Sequence, residues 1–219
     1  DSEEQAFMSI VSKSNDAISK RMLDYHIALD SAVGLLRSSG AVSRADWRIF
    51  VDSLKLQTQF TGIQGLGYSV IVPPEEKSDF EKDIRAEGFP DFTIKPPDDR
   101  NLYTAILYLE PFDFRNQRAF GFDMYSEPTR REAMESAART GLATVSGPVT
   151  LVQETNEDIQ RGFLMYVPHY RNGAPIDTVE QRENALVGWV YAAFRTGDLM
   201  KGVLPIEARE FFSEIFYGN

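Results

Sequence analysis

The chain has 219 residues, 42% of them apolar and 26% charged, the balance of a globular protein. Acidic groups outnumber basic ones by 33 to 23, giving a net charge of −10 and a pI near 4.8, which argues against a nucleic-acid partner because such surfaces are built on basic patches. Zero cysteine excludes a disulfide framework, a thiolate zinc site, an iron–sulfur cluster and a Cys nucleophile. With only His26 and His169 to work with, no metal or cofactor site is expected. Missing cysteine suits the cytosol and a bacterial periplasm equally. The longest apolar run, Ala185–Phe194, is about half of the ~20 residues needed to span a bilayer. The sequence opens on Asp1 without a signal peptide and reads as a piece of something longer.

Residues 4–37 lack proline, carry one glycine (Gly34), and place apolar side chains at helical spacing from Phe7 through Tyr25 and Leu29 to Leu36. At 1.5 Å per residue such a helix spans ~50 Å, the length of a stalk, which is expected to pair with itself. Ser38-Ser39-Gly40 breaks it, and Ser43 is a suitable N-cap for a second helix carrying Trp47, Phe50, Val51, Leu54 and Leu56. Gly62, Gly65 and Gly67 read as a loop before a strand from Leu66 to Val72. Glu75–Glu87 reads as a charged helix ended by Gly88, Phe92–Ile94 as a short strand, and Tyr103–Leu109 as a longer one. Pro128 opens a helix that Gly141 closes. Thr144–Val145 and Val149–Val152 flank a Gly147-Pro148 turn, and Phe163–Tyr170 and Leu186–Arg195 are the strongest strands, linked by Arg171–Pro175 and an acidic stretch to Glu183. A helix at Asp198–Leu204 and a run at Phe211–Tyr217 follow. This order predicts an α+β fold: residues 1–42 as stalk, 43–196 as a PAS-like antiparallel sheet domain, and 197–219 as the start of a smaller module.

No catalytic signature emerges. Gly62, Gly65 and Gly67 have the wrong spacing for a dinucleotide loop, Ser146-Gly147-Pro148 is no nucleophile elbow, and the carboxylates form no diagnostic pair. His169, beside Pro168 in a strand, reads as structural. Asp123 stands out because it follows Phe120-Gly121-Phe122 in an apolar run. A carboxylate there either accepts N–H bonds from a ligand in an apolar pocket or caps a turn or the helix near Pro128. Tyr103, Tyr108, Phe163, Met165, Tyr166, Trp189 and Tyr191 alternate along the strands, so some fill the core and some could wall a pocket.

Gly65–Val70 (GLGYSV), Ala119–Asp123 (AFGFD), Arg139–Gly141 (RTG), Ser146–Pro148 (SGP) and Gly188–Phe194 (GWVYAAF) together resemble a CHASE domain, over roughly residues 45–204. That family is the extracytoplasmic sensor of receptor histidine kinases and nucleotide cyclases, with the cytokinin receptors as its best-known members. The resemblance implies a stalk helix, a membrane-distal PAS-like domain that holds a ligand, a proximal PAS-like module, flanking transmembrane helices and a homodimer. It also implies a periplasmic or extracytoplasmic location and a kinase or diguanylate cyclase output outside this chain. By position it places an adenine-bonding carboxylate at Asp123, a main-chain contact at Val145 and a hydroxyl near Thr155. Tyr103, Tyr108, Phe163, Met165 and Tyr191 complete the expected ligand site. The expected function is small-molecule sensing, with an adenine derivative of cytokinin type as the leading ligand. The alternative is a protein-interaction or dimerisation module without a small-molecule ligand.

Overall fold

The computed structural model describes residues 2–154, 159–204, 206 and 208–209. It begins with α1 (Ser2–Ser38), an unbroken 37-residue helix. Tyr25, Leu29 and Ala32, spaced four and three apart, form the stripe that α1 buries. The Tyr25 hydroxyl donates to the Thr61 carbonyl at 2.6 Å, and burial pushes its pKa up to about 12. Next comes α2 (Arg44–Leu54), opened by a reciprocal box: the Ser43 hydroxyl accepts the Asp46 N–H at 3.1 Å, and the Asp46 carboxylate accepts the Ser43 N–H at 2.9 Å. Lys55, left-handed at φ 52°, separates α2 from the single turn α3 (Leu56–Gln59).

Six antiparallel strands follow: β1 (Ile63–Val72), β2 (Tyr103–Glu110), β3 (Thr144–Val145), β4 (Val149–Thr150), β5 (Arg161–Tyr170) and β6 (Leu186–Arg195). The order across the sheet is β2-β1-β6-β5-β3, with β4 also paired to β5. Helices α4 (Lys77–Ala86), α5 (Phe114–Gln117), α6 (Pro128–Thr140), α7 (Val179–Ala185) and α8 (Thr196–Val203) decorate it.

Strand alternation divides the interior into two cores. On one face, Leu66, Tyr68, Met165, Val167, Val190, Ala192 and Phe194 pack against α1 and against Trp47 and Val51 of α2. On the other, Leu164, Tyr166, Trp189, Tyr191 and Ala193 pack against Ala133, Met134, Ala137 and Ala138 of α6. A third cluster, holding Tyr103, Ala105, Ile84, Phe92 and Phe120, closes the end of β1 and β2 next to α4. A bulge shapes β2: Tyr108 opposes Tyr68 while Ile106 opposes Ser69, leaving Leu107 over. Tyr108 and Ile106 therefore lie on opposite faces although they are two residues apart, a spacing that places residues on one face of a regular strand.

Most of the expected elements are present, including the Pro128–Gly141 helix: Pro128 stands in its first turn and Gly141 caps it in the left-handed conformation. Three expectations are corrected. Gly65 and Gly67 do not punctuate a loop but lie inside β1. A Cβ at Gly65 would come within 2.8 Å of Asn116, and one at Gly67 within 2.7 Å of the Tyr191 ring, so these strand positions must stay bare. Phe92–Ile94 is no strand; only Lys95 forms a bridge, to Phe122, because this stretch is held by Glu81 instead. The Glu81 carboxylate accepts the Ile94 N–H at 2.9 Å and the Thr93 hydroxyl at 3.1 Å. Desolvation works against the charge on Glu81, but those bonds together with Lys77 outweigh it and hold its pKa below the usual range. The polar link before β6, read as an acidic connector, contains α7, capped by the Thr178–Gln181 box. At the other end, α8 follows β6 directly and sends Leu199 into the α1-face core. The run Phe211–Tyr217 lies outside the described residues.

Two outcomes follow for the fold. Ser43→Ala removes the α2 box and is expected to cost about 1 kcal/mol, a fall in thermal midpoint of roughly 2–4 °C for a chain of this size, read by calorimetry. The second concerns His169, whose Nδ1 shares a hydrogen bond with the Tyr68 hydroxyl at 2.8 Å. Burial, then Arg37, lower the His169 pKa. The unfolded chain thus takes up the proton first, and stability falls as the pH drops below about 6.5. Between pH 7 and 5, His169→Asn should lose less midpoint than the parent; an equal loss refutes the assignment.

Candidate functional site

Residues 119–126 run along the free edge of β2. The Gly121 N–H donates to Ile106 O and the Ile106 N–H to Phe122 O, both at 3.2 Å, and Asp123 bridges Ala105. On its other side this stretch meets the loop after α4: the Lys95 N–H donates to Gly121 O at 3.0 Å, and the Asp123 N–H to Lys95 O at 2.7 Å. Gly121 stands at φ 80°, with the space for a Cβ taken by Thr93 O at 2.6 Å. The backbone is thus clamped between β2 and residue 95, and the Asp123 side chain is driven inward.

Asp123 is fully buried. Its Oδ1 accepts three hydrogen bonds, from the Thr104 N–H at 3.1 Å, the Thr104 hydroxyl at 2.7 Å and the Tyr125 N–H at 3.0 Å. Its Oδ2 accepts the Arg100 Nε hydrogen at 3.1 Å, and Arg100 Nη2 stands in the same ion pair at 3.1 Å. A bare carboxylate in this position would be costly; four hydrogen bonds and the Arg100 charge offset that. Arg100 is itself held by the Pro96 carbonyl at 2.9 Å and by the Tyr103 ring, whose centroid lies 5.0 Å from the guanidinium carbon. The Tyr103 hydroxyl accepts the Arg100 N–H at 3.1 Å and donates to Asp98 O at 3.2 Å.

From Asp123 a short 3₁₀ turn, Met124–Ser126, leads to α6 and the interior of the α6 face. The Tyr166 hydroxyl points at the Met124 sulfur at 3.4 Å, and the Trp189 indole N–H donates to Met134 O at 2.9 Å. Arg130, nearly buried, donates to Glu127 at 3.1 Å and to Thr150 O at 2.9 Å. The Glu127 carboxylate, desolvated but held by the Thr129 and Arg130 N–H groups and by the Arg130 charge, has its pKa lowered on balance. Burial raises the Tyr191 hydroxyl pKa far above its ordinary value; Tyr166 adds to the rise and Arg130 opposes it. Three side-chain atoms of this neighbourhood, Ser69 Oγ, Asn116 Oδ1 and Tyr191 OH, are buried without a hydrogen-bond partner among the described residues. Each such group carries a desolvation cost that no protein group among the described residues offsets, which is uncommon in folded proteins.

The expected site residues divide between the faces. Asp123 and Tyr191 belong to the α6 side, joined through Met124 and Tyr166. Tyr103 reaches the Asp123 cluster through Arg100. Tyr108, Phe163 and Met165 lie on the α1 side: Tyr108 donates to Val42 O at 2.7 Å, Phe163 stacks on Phe194 at 4.8 Å, and Met165 is core. Val145, in edge strand β3, pairs with Met165 and is largely exposed. Thr155 lies outside the described residues. Of the two roles open for Asp123, the structure shows the cap: its carboxylate closes the Met124–Ser126 turn, whereas Glu127 caps α6. The sequence reading missed Arg100, Thr104 and the Arg130–Glu127 pair. The only local signal for Arg100 is its place after the Pro96–Asp99 turn, just before β2.

Among the described residues no group of three or more His, Cys, Asp or Glu side chains is placed to hold a metal ion, and no helix is long and apolar enough to cross a membrane.

Asp123→Asn keeps the shape but removes the charge that Arg100 pairs with. Breaking a buried pair costs several kcal/mol; because Arg100 retains some water, about 3 kcal/mol is expected, a midpoint loss of roughly 6–12 °C. Arg48→Ala, which breaks a pair in which Arg48 is 55% exposed, should cost under about 1 kcal/mol by the same measurement.

The CHASE domain family profile matches residues 40–216. No curated protein matches the chain. The chain belongs to the CHASE domain family, the extracytoplasmic sensor domains of membrane signalling receptors, and this domain is a sensor rather than a catalyst.

Proposed function

We propose that this CHASE domain senses a small molecule, bound on the α6 side of a PAS-like sheet between Asp123 and Tyr191. The observation that supports it most is the set of buried, unpartnered polar atoms on Ser69, Asn116 and Tyr191. Groups of this kind are retained where a ligand supplies their hydrogen bonds. They adjoin the bare Gly65–Gly67 stretch of β1, where the absence of side chains lets other groups approach the backbone. Asp123 supplies an acceptor for ligand N–H groups, Tyr103 an aromatic wall, and Val145 a main-chain contact at the rim with Thr155 beside it. Tyr108, Phe163 and Met165 act from behind the sheet by supporting its curvature. An adenine derivative of cytokinin type is the leading ligand.

Binding would favour one arrangement of the sheet over another, and only a difference in affinity between the two can shift the balance. The change would pass to α1, which packs on β5 and β6, and to the smaller module beginning near 197. In this proposal the domain lies in the periplasm between two transmembrane helices, pairs as a homodimer through α1, and drives a histidine kinase or diguanylate cyclase elsewhere in the receptor.

The test is a thermal-shift screen weighted toward purines, amino acids and organic acids. A ligand at 100 times its Kd stabilises by about 2.7 kcal/mol, a shift of roughly 5–11 °C. Tyr191→Phe removes a hydroxyl that has no partner, so the free protein should keep or raise its midpoint while the ligand-induced shift shrinks. A shift unchanged in Tyr191→Phe moves the ligand away from this face. No shift with any compound favours the protein-interaction module.

A further inference from the structure

The two oxygens of Asp123 are held in different ways. Oδ1 is bound to the framework: two of its three donors are the main-chain N–H groups of Thr104 and Tyr125, and the third is the Thr104 hydroxyl. These bonds fix the start of β2 and the turn into α6, and they cannot be exchanged without undoing both. Oδ2 is bound to one side chain, Arg100, whose Nε donates to it and whose Nη2 stands 3.1 Å away. A carboxylate has room for about four acceptor bonds, and Asp123 already accepts four, with Arg100 Nη2 set against Oδ2 besides. A further donor cannot be added; it must replace one.

We propose that Arg100 is an internal competitor for the ligand site: its guanidinium occupies the seat on Asp123 Oδ2 that ligand N–H donors take when they bind. This inference rests on Asp123 being a ligand acceptor, as proposed above. The seat defines the chemistry of its occupant. The guanidinium donates one N–H to Oδ2 and sets a second nitrogen 3.1 Å from it, lies within 5.0 Å of the Tyr103 ring centroid, and is 20% exposed while Asp123 has no exposure. Its replacement must be planar, rich in N–H donors, and able to lie on an aromatic face: an amidine, a guanidine, or the amino edge of a purine or pyrimidine. A carboxylic acid or sugar lacks that combination. The loop carrying Arg100 has partners of its own to take the side chain: Asp98, whose carboxylate is 3.7 Å from Nη1 and 75% exposed, stands ready to pair with the displaced guanidinium at the surface.

An internal competitor weakens apparent affinity by the fraction of time it leaves the seat open. The test uses Arg100→Ala with two probes, methylguanidinium and adenine, against matched sodium chloride. Arg100→Ala should lower the thermal midpoint, and methylguanidinium in the tens of millimolar range should recover part of that loss. It should leave the parent and the Asp123→Asn/Arg100→Ala double variant unmoved. A response of Arg100→Ala no larger than that of the parent overturns the proposal. Where Arg100→Ala does not fold, Arg100→Gln, which keeps one amide donor, is judged by the same two outcomes. For adenine, affinity for the Arg100 variant should rise about tenfold or more over the parent. Equal adenine binding by both proteins overturns the competitor and leaves the sensor reading standing. Rescue by methylguanidinium with no adenine response in either supports the seat and removes the purine reading alone.

Discussion

A carboxylate with no access to water cannot be left unpaired, and the distal end of this sheet is organised around meeting that demand at Asp123. Its donors come from two stretches that sequence keeps apart: the loop before β2 with the first residues of β2, and the turn into α6. Satisfying one side chain therefore fixes where β2 starts, where α6 points, and how residues 119–123 cover the edge of β2. An open sheet edge with bare N–H and C=O groups is a liability in any antiparallel protein. Here the segment that delivers the acid to its partners also covers that edge.

The second organising feature is the lack of side chains along β1. Gly65 and Gly67 let Asn116 and the Tyr191 ring lie directly on the strand backbone, so the α6 face can hold large aromatic groups close to the sheet. Those groups pack with polar ends turned inward, and the cost appears as hydroxyl and amide atoms without a protein partner among the described residues. The opposite face shows the contrary design. There Tyr25, Tyr68 and Tyr108 all have partners for their hydroxyls, in Thr61, His169 and Val42. One face meets the hydroxyls of its tyrosines and supports α1, while the other leaves the Tyr191 hydroxyl unmet among the described residues.

The sequence made local features legible and left long-range ones hidden. Ser43, Pro128 and Gly141 act on their own neighbours, and each was readable as a cap or helix boundary. The class of the fold was readable from the order of its periods. Gly65 and Gly67 misled because glycine usually marks a turn, whereas their cause is contact with Asn116 and Tyr191, far along the chain. The Phe92–Ile94 stretch misled because its backbone bonds go to the Glu81 side chain rather than to a strand. Aromatic alternation could show that half the tyrosines share a face. It could not show that a bulge at Leu107 would send Tyr108 to the α1 side. At the site, Asp123 was conspicuous as an acid among aromatics, but Arg100, 23 positions away, carried no local mark of pairing with it.

The first and last regular helices of the described chain, α1 and α8, touch one another, and both rest on β5 and β6. They are two pointers mounted on a single plate. A uniform displacement of the sheet would carry both and leave their separation unchanged; a change in twist would not, because α1 lies across the face while α8 continues from the end of β6. The anchored stretch of α1 around Tyr25 stands about 35 Å from its start at 1.5 Å per residue. By that geometry a tilt of about 5° moves the far end by about 3 Å. Such an arrangement discards common motion and amplifies differential motion, so it would report the shape of the sheet and not its position.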